Sequence, residues 1–143
     1  MTIHRVLKIG RWVVDFIFAT GRYDVDGILS CLYDADAPRL VMENAGELMS
    51  EGKYNTGFTY TNPEIHRAVV TIGPTTSGAE FTDTLVHEVH HLAVAIASEL
   101  GIDLESETPA YVAGDSARAR AEVICELGCA SCRQPSILDS RNR

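Results

Sequence analysis

No run of lysine or arginine occurs in this 143-residue chain, and its 20 acidic residues outnumber its 12 basic ones, for a formal net charge of −8 and a pI near 5.0. That balance excludes binding of nucleic acid through a broad basic surface. Long apolar runs are missing too. The nearest approach, Trp12-Val13-Val14-Asp15-Phe16-Ile17-Phe18-Ala19, is broken by Asp15 and is too short to span a bilayer. It reads as a strand rather than a secretion signal, and with no targeting segment the expected compartment is the cytoplasm. No repeat, low-complexity tract or linker interrupts the chain, so 45% hydrophobic and 22% charged residues describe one ordinary folded domain. Its expected extent is residues 1–132, with a polar tail over 133–143 that contains Pro135.

Cysteine is scarce as well, at 4 residues. Cys31 stands alone. Cys125, Cys129 and Cys132 are spaced Cys-x-x-x-Cys-x-x-Cys, which superficially resembles an iron–sulfur signature. Here the spacing ends a helical stretch instead of following a strand, and the chain around it lacks the length of such a barrel. These read as reduced thiols.

Residues 3–9 and 11–18 carry β-branched and aromatic residues on either side of Gly10, the pattern of one long strand or a hairpin. Residues 25–33 and 37–50 alternate at helical spacing, with Asp26 acidic in one first turn and Asp36-Ala37-Pro38 opening the other helix. Gly52 and Asn55 mark a turn. Phe58-Thr59-Tyr60-Thr61 alternates, Asn62-Pro63 breaks the pattern, and Arg67 to Ile72 is a β-branched run closed by Gly73-Pro74. After a polar loop over Thr75 to Ala79, helices are expected from about Phe81 to Ala97 and from about Ser106 to Leu127. The order predicts an α+β domain with a small, mainly antiparallel sheet.

Within the first of those two helices stands His87-Glu88-Val89-His90-His91, which contains His-Glu-x-x-His. Histidines four apart lie one above the other on a helix, close enough for both imidazoles to reach one zinc ion at about 2.0–2.1 Å. The glutamate is turned about 100° round the helix, where its carboxylate can take a proton from a water that the metal activates. The four letters alone arise by chance in about one chain in several hundred of this length. Their setting says more. With His87 at 0°, His91 falls near about 40°, whereas Leu85, Val89, Leu92, Ala93, Ile96 and Leu100 fall between about 140° and 240°. The apolar stripe is opposite the two histidines, as in a helix that floors a cleft.

Neighbouring residues fill out the constellation. Asp83 and Thr84, four and three residues before His87, are each placed to hold the outer nitrogen of that imidazole, although an acid there also suits the helix dipole. His90 lies on the opposite flank from Glu88 and reads as a polar residue at the rim. Ala95 and Ser98 are small residues on the histidine face that let another segment approach.

A catalytic zinc site takes three protein ligands and leaves a fourth position to water. Of the five histidines, the remaining His4 and His66 lie well upstream, while the chain downstream is acidic. Gly101 suits a helix stop, and Ser106 or Thr108 with Pro109 suits the start of a helix that returns antiparallel. Glu107 at its mouth can reach the metal; Asp103 and Glu105 sit nearer the turn. If the first helix runs straight to Leu100, Glu107 begins its return about 13 Å beyond His91 and Asp115 is level with the metal. A helix that ends near Ala97, or a steep crossing, restores Glu107. Tyr111 shares a face with Glu107, either to stabilise an oxyanion through its phenol or to pack between helices.

The stretch Asp83 to Gly114, with His87-Glu88-x-x-His91 followed by Glu107-x-x-Ala110-Tyr111-x-x-Gly114, resembles the zincin metallopeptidases of the gluzincin type. It is particularly similar to small members found in bacteriophage and bacterial genomes. The resemblance covers about 32 of 143 residues. It implies a zincin-like fold, in which the sheet packs on the active-site helix and a following helix carries the third ligand, so that the ligands are His87, His91 and Glu107. A strand that lines the cleft and pairs with extended peptide is implied too, and residues 67–72, just upstream of the metal helix, are the expected one.

The leading expectation is therefore a zinc-dependent peptidase with Zn2+ as cofactor, a polypeptide as substrate, Glu88 as general base and Tyr111 as a candidate catalytic residue, with neither nucleic acid nor membrane as partner. A second reading is a non-catalytic zinc-binding interaction or regulatory module, against which the presence of Glu88 beside both ligands argues. A third is an accidental motif in an acidic helical accessory protein.

Overall fold

A computed structural model describes residues 2–19, 24–50, 57–74 and 77–101. Gly10, at φ +59, provides the positive φ of a two-residue turn between the paired Ile9 and Trp12. The turn folds strands β1 (Thr2–Ile9) and β2 (Trp12–Ala19) into an antiparallel hairpin. Two helices follow, α1 (Val25–Asp34) and α2 (Arg39–Ser50), then strands β3 (Gly57–Asn62) and β4 (Arg67–Ile72) and helix α3 (Gly78–Glu99). The sheet order is β1-β2-β4-β3. β3 pairs with β4 antiparallel, but β4 pairs with β2 in parallel, because the chain crosses over through α1 and α2 before returning. The fold is thus α+β with a mixed sheet, in which two of the three strand pairs are antiparallel.

Alternation along the strands divides the interior in two. Trp12, Val14, Phe16 and Phe18 of β2, with Ala68, Val70 and Ile72 of β4, pack against Phe81, Leu85, Val89, Leu92, Ala93 and Ile96 of α3. The intervening residues Ile17, Ala19 and Val69 pack on the other face against Ile28 and Leu32 of α1 and Ala45 and Met49 of α2. β2 and β4 are therefore covered on both faces. This explains why their sequences read as nearly continuous apolar runs.

α3 is longer than its hydrophobic pattern predicts. It starts at Gly78 because Ser77 caps it, accepting a hydrogen bond from the Glu80 backbone N–H at 3.1 Å. Ser77-x-x-Glu80 is a capping-box spacing, a signal that the polar-loop reading of Thr75 to Ala79 passed over. At the other end, Gly101 at φ +65 stops the helix as expected. Leu100 lies at the cap rather than in the stripe and is 45% exposed. The last turn is tied to the sheet by His66, whose Nε2 lies 2.9 Å from Glu99 Oε1 and whose ring meets Trp12 edge-on. That contact holds the Glu99 carboxyl below its ordinary value. Among the described residues no helix is long and apolar enough to cross a membrane.

The packing of α3 on the sheet sets where its outer face points. Leu92 is fully buried at the middle of that interface. Leu92→Ala is expected to cost about 2–5 kcal/mol, read as a lower denaturant midpoint with an unchanged slope.

Candidate functional site

The apolar stripe of α3 faces the sheet, which turns His87 and His91 outward, both exposed. Their Nε2 atoms are 3.2 Å apart and the rings meet at 80°. At that separation either one nitrogen donates a proton to the other or both face a common cation. Two nitrogens on one tetrahedral zinc, each bonded at 2.0–2.1 Å, are themselves about 3.3 Å apart. The pair therefore fits the ion that the sequence motif implies, without rearrangement of the helix.

Glu88 is placed differently from its neighbours. It is only 5% exposed, because β3 lies against its flank of α3. A carboxylate taken out of water needs donors. Thr59 of β3 supplies one, its hydroxyl donating to Oε2 of Glu88 at 2.6 Å. The same hydroxyl is 3.2 Å from the Glu88 backbone carbonyl. A hydroxyl has one proton, and the shorter, charge-assisted bond to the carboxylate takes it.

Gly57 lets the strand come this close. A Cβ there would lie 2.6 Å from the Thr71 carbonyl oxygen, 2.9 Å from Glu88 Cγ and 3.1 Å from Thr84 Cγ2. β3 and α3 together enclose a cleft of about 470 Å³ lined by Gly57, Phe58, Thr59, Thr61, His87, Glu88 and His91. The structure thus brings together the two histidines and the glutamate of the motif in one solvent-facing cleft. It adds Thr59 and Gly57, which sequence reasoning missed; an alternating strand offers no local signal of which helix it will touch.

The wall of the cleft is not the strand expected. Residues 67–72 form β4, which lies between β2 and β3, and its Ala68, Val69, Val70, Thr71 and Ile72 are completely buried. Both of its ladder edges are already used. β3 is the edge strand instead, and no further strand pairs with it among the described residues. Adjacency in sequence to the histidine-bearing helix misled here: the strand that reaches the cleft is one step further back in the chain.

Other expectations divide. Asp83 is exposed and makes no hydrogen bond to His87 among the described residues, while Thr84 is half-buried beside Gly57. His90 is exposed, with its ring 6.3 Å from that of His91, and does not line the cleft. α3 continues to Glu99, which removes one of the two geometries that favoured Glu107, an end near Ala97. Glu107, Tyr111, Asp103, Glu105, Asp115 and the helix expected over Ser106 to Leu127 lie outside the described residues, as do Cys125, Cys129 and Cys132 and the tail.

Comparison with known protein families, with curated proteins and with solved structures finds no match to this chain.

The close approach at Gly57 makes a testable constraint. In Gly57→Ala the added methyl meets a backbone carbonyl that cannot yield easily. β3 is expected to move away from α3 and loosen the Thr59–Glu88 bond, at a cost of about 1–3 kcal/mol in thermal or denaturant unfolding. Unchanged stability would mean that the strand does not press on the helix there.

Proposed function

We propose that this chain is a zinc-dependent hydrolase of zincin type, acting on polypeptides. The reading is carried by one observation: paired, outward-facing imidazole nitrogens 3.2 Å apart in the same cleft as a buried carboxylate. His87 and His91 would hold the ion, with Glu107 as the third ligand and Asp115 as its competitor. Bound zinc supplies Lewis-acid polarisation of a carbonyl and lowers the pKa of water.

The protein's own contribution is positioning and proton handling. Glu88 accepts a proton from the attacking water and returns it to the departing amine. The Thr59 hydroxyl holds Oε2 of that carboxylate, which fixes its orientation toward the cleft. The outer edge of β3 offers backbone N–H and C=O groups to an extended peptide, whose main chain would lie across the cleft as an added strand. Thr59 and Thr61 present small polar side chains there, leaving room for a bound chain. Tyr111, four residues after Glu107 in sequence, would be the candidate for stabilising the oxyanion that develops at the carbonyl.

Metal content and hydrolysis of an unfolded protein substrate, measured together, test the proposal. His87→Ala and His91→Ala are expected to lose zinc from this site. Glu88→Gln is expected to retain zinc and lose on the order of 10²–10⁴ in rate. Zinc bound with no Glu88-dependent hydrolysis would replace the enzyme by a metal-binding module. Loss of zinc in Asp115→Ala but not in Glu107→Ala would move the third ligand and leave the reaction class standing.

A further inference from the structure

On the opposite face of the sheet, under α1, three potential metal donors of different chemistry converge. His4 of β1 pairs across the strands with Ile17, so Asp15 of β2 is its diagonal neighbour on the same face. His4 Nε2 is 2.7 Å from Asp15 Oδ1 and 4.0 Å from Cys31 Sγ of α1. All three donor atoms lie within 4.8 Å of one another. We propose that His4, Asp15 and Cys31 form a second metal site, one that takes a zinc-class divalent cation.

The arrangement is easily mistaken for two others. A nucleophilic Cys-His-Asp triad needs its acid and its thiol on opposite ring nitrogens of the histidine. Here both approach the same Nε2, which is how ligands gather round an ion and not how a proton relay is built. A plain His–Asp ion pair accounts for two of the groups but not for the sulfur turned toward them.

The donor set selects the ion. Thiolate with imidazole and one carboxylate is too soft for Mg2+ or Ca2+ and suits Zn2+. On a tetrahedral zinc the N···O and N···S separations would be about 3.3 Å and 3.6 Å, from bond lengths of 2.0–2.3 Å. Reaching them from 2.7 and 4.0 Å needs changes of about 0.6 and 0.4 Å, and the Asp15 Oδ1 to Cys31 Sγ separation, now within 4.8 Å, has to close to about 3.6 Å. Access is open, because the His4 side chain is 46% exposed while that of Asp15 is 7% exposed. Arg67, also a diagonal neighbour of Asp15, binds its other oxygen, Oδ2, at 3.3 Å and leaves Oδ1 turned to the cluster. On binding, the Cys31 S–H proton goes to solvent as the S–metal bond forms. The proton now shared between His4 Nε2 and Asp15 moves to Nδ1 or to solvent, which frees the Nε2 lone pair. No electron is transferred. Such an ion would clamp α1 to the β1–β2 hairpin.

Cobalt(II) tests the site, since only a cysteine ligand gives thiolate-to-cobalt charge-transfer absorption and the cleft histidines cannot produce it. The full-length, reduced chain carrying His87→Ala together with Cys125→Ser, Cys129→Ser and Cys132→Ser, so that Cys31 is its one remaining cysteine, is titrated with Co2+, and its zinc content is measured in parallel. The expected result is a charge-transfer band and retained zinc, both lost or weakened on the order of tenfold or more when Cys31→Ser or His4→Gln is added. Zn2+ should raise the melting temperature of that background protein but not of the variants that add Cys31→Ser or His4→Gln to it. His4→Gln is a half-exposed substitution, so its fold is secure even if Cys31→Ser perturbs packing. A band and zinc content unchanged in both variants would overturn the site, whatever the fate of the proposed hydrolase.

Discussion

A glutamate carboxylate withdrawn from water at the seam of a helix and a strand is costly unless a donor meets it, and much of the cleft follows from how this cost is met. Glu88 is covered because β3 lies against α3. β3 can lie there because Gly57 has no side chain to collide with Thr71, Glu88 or Thr84. The Thr59 hydroxyl then satisfies the carboxylate from the strand side. Strand, glycine, threonine and glutamate are one interlocked contact, and beside it the apolar stripe of α3, packed on the sheet, turns the histidines on the next flank outward.

The sheet separates two chemistries. Even-numbered residues of β2 build the interface with α3, whose outer surface carries His87 and His91. Odd-numbered residues face α1 and α2, and among them Asp15 is a charge set in an otherwise apolar strand. Its two oxygens are divided between His4 and Arg67, which are reached diagonally across the strands on either side. Period-two alternation thus lets one eight-residue strand support a hydrophobic interface on one face and a polar cluster on the other.

Much of the framework was legible beforehand because its signals are local. Gly10 separated two β runs, leaving open one long strand or the hairpin that formed, Asp36-Ala37-Pro38 opened α2, the β-branched run gave β4 at the expected residues, and Gly101 ended α3. The opposition of the apolar stripe to His87 and His91 was also legible, since a helix converts spacing directly into direction. Other features gave way for stated reasons. The parallel pairing of β2 with β4 depends on how a crossover packs. β4 lost the role of cleft wall because two neighbours occupy its edges. The start of α3 moved to Gly78 because a cap at Ser77 outweighed the polarity of the loop.

By itself the chain's order of residues determined which groups could act together along one helix: two imidazoles and a carboxylate at fixed angles, with an apolar stripe to anchor them. Which outside groups would meet them was decided only by the tertiary structure. Thr59 reaches Glu88 across a gap of 29 residues, and Cys31 approaches His4 across 27. Helical periodicity acts over a few residues and can be counted. Contacts across such separations arise from strand order and from which face each strand turns to which helix, and these exist only once the sheet has formed.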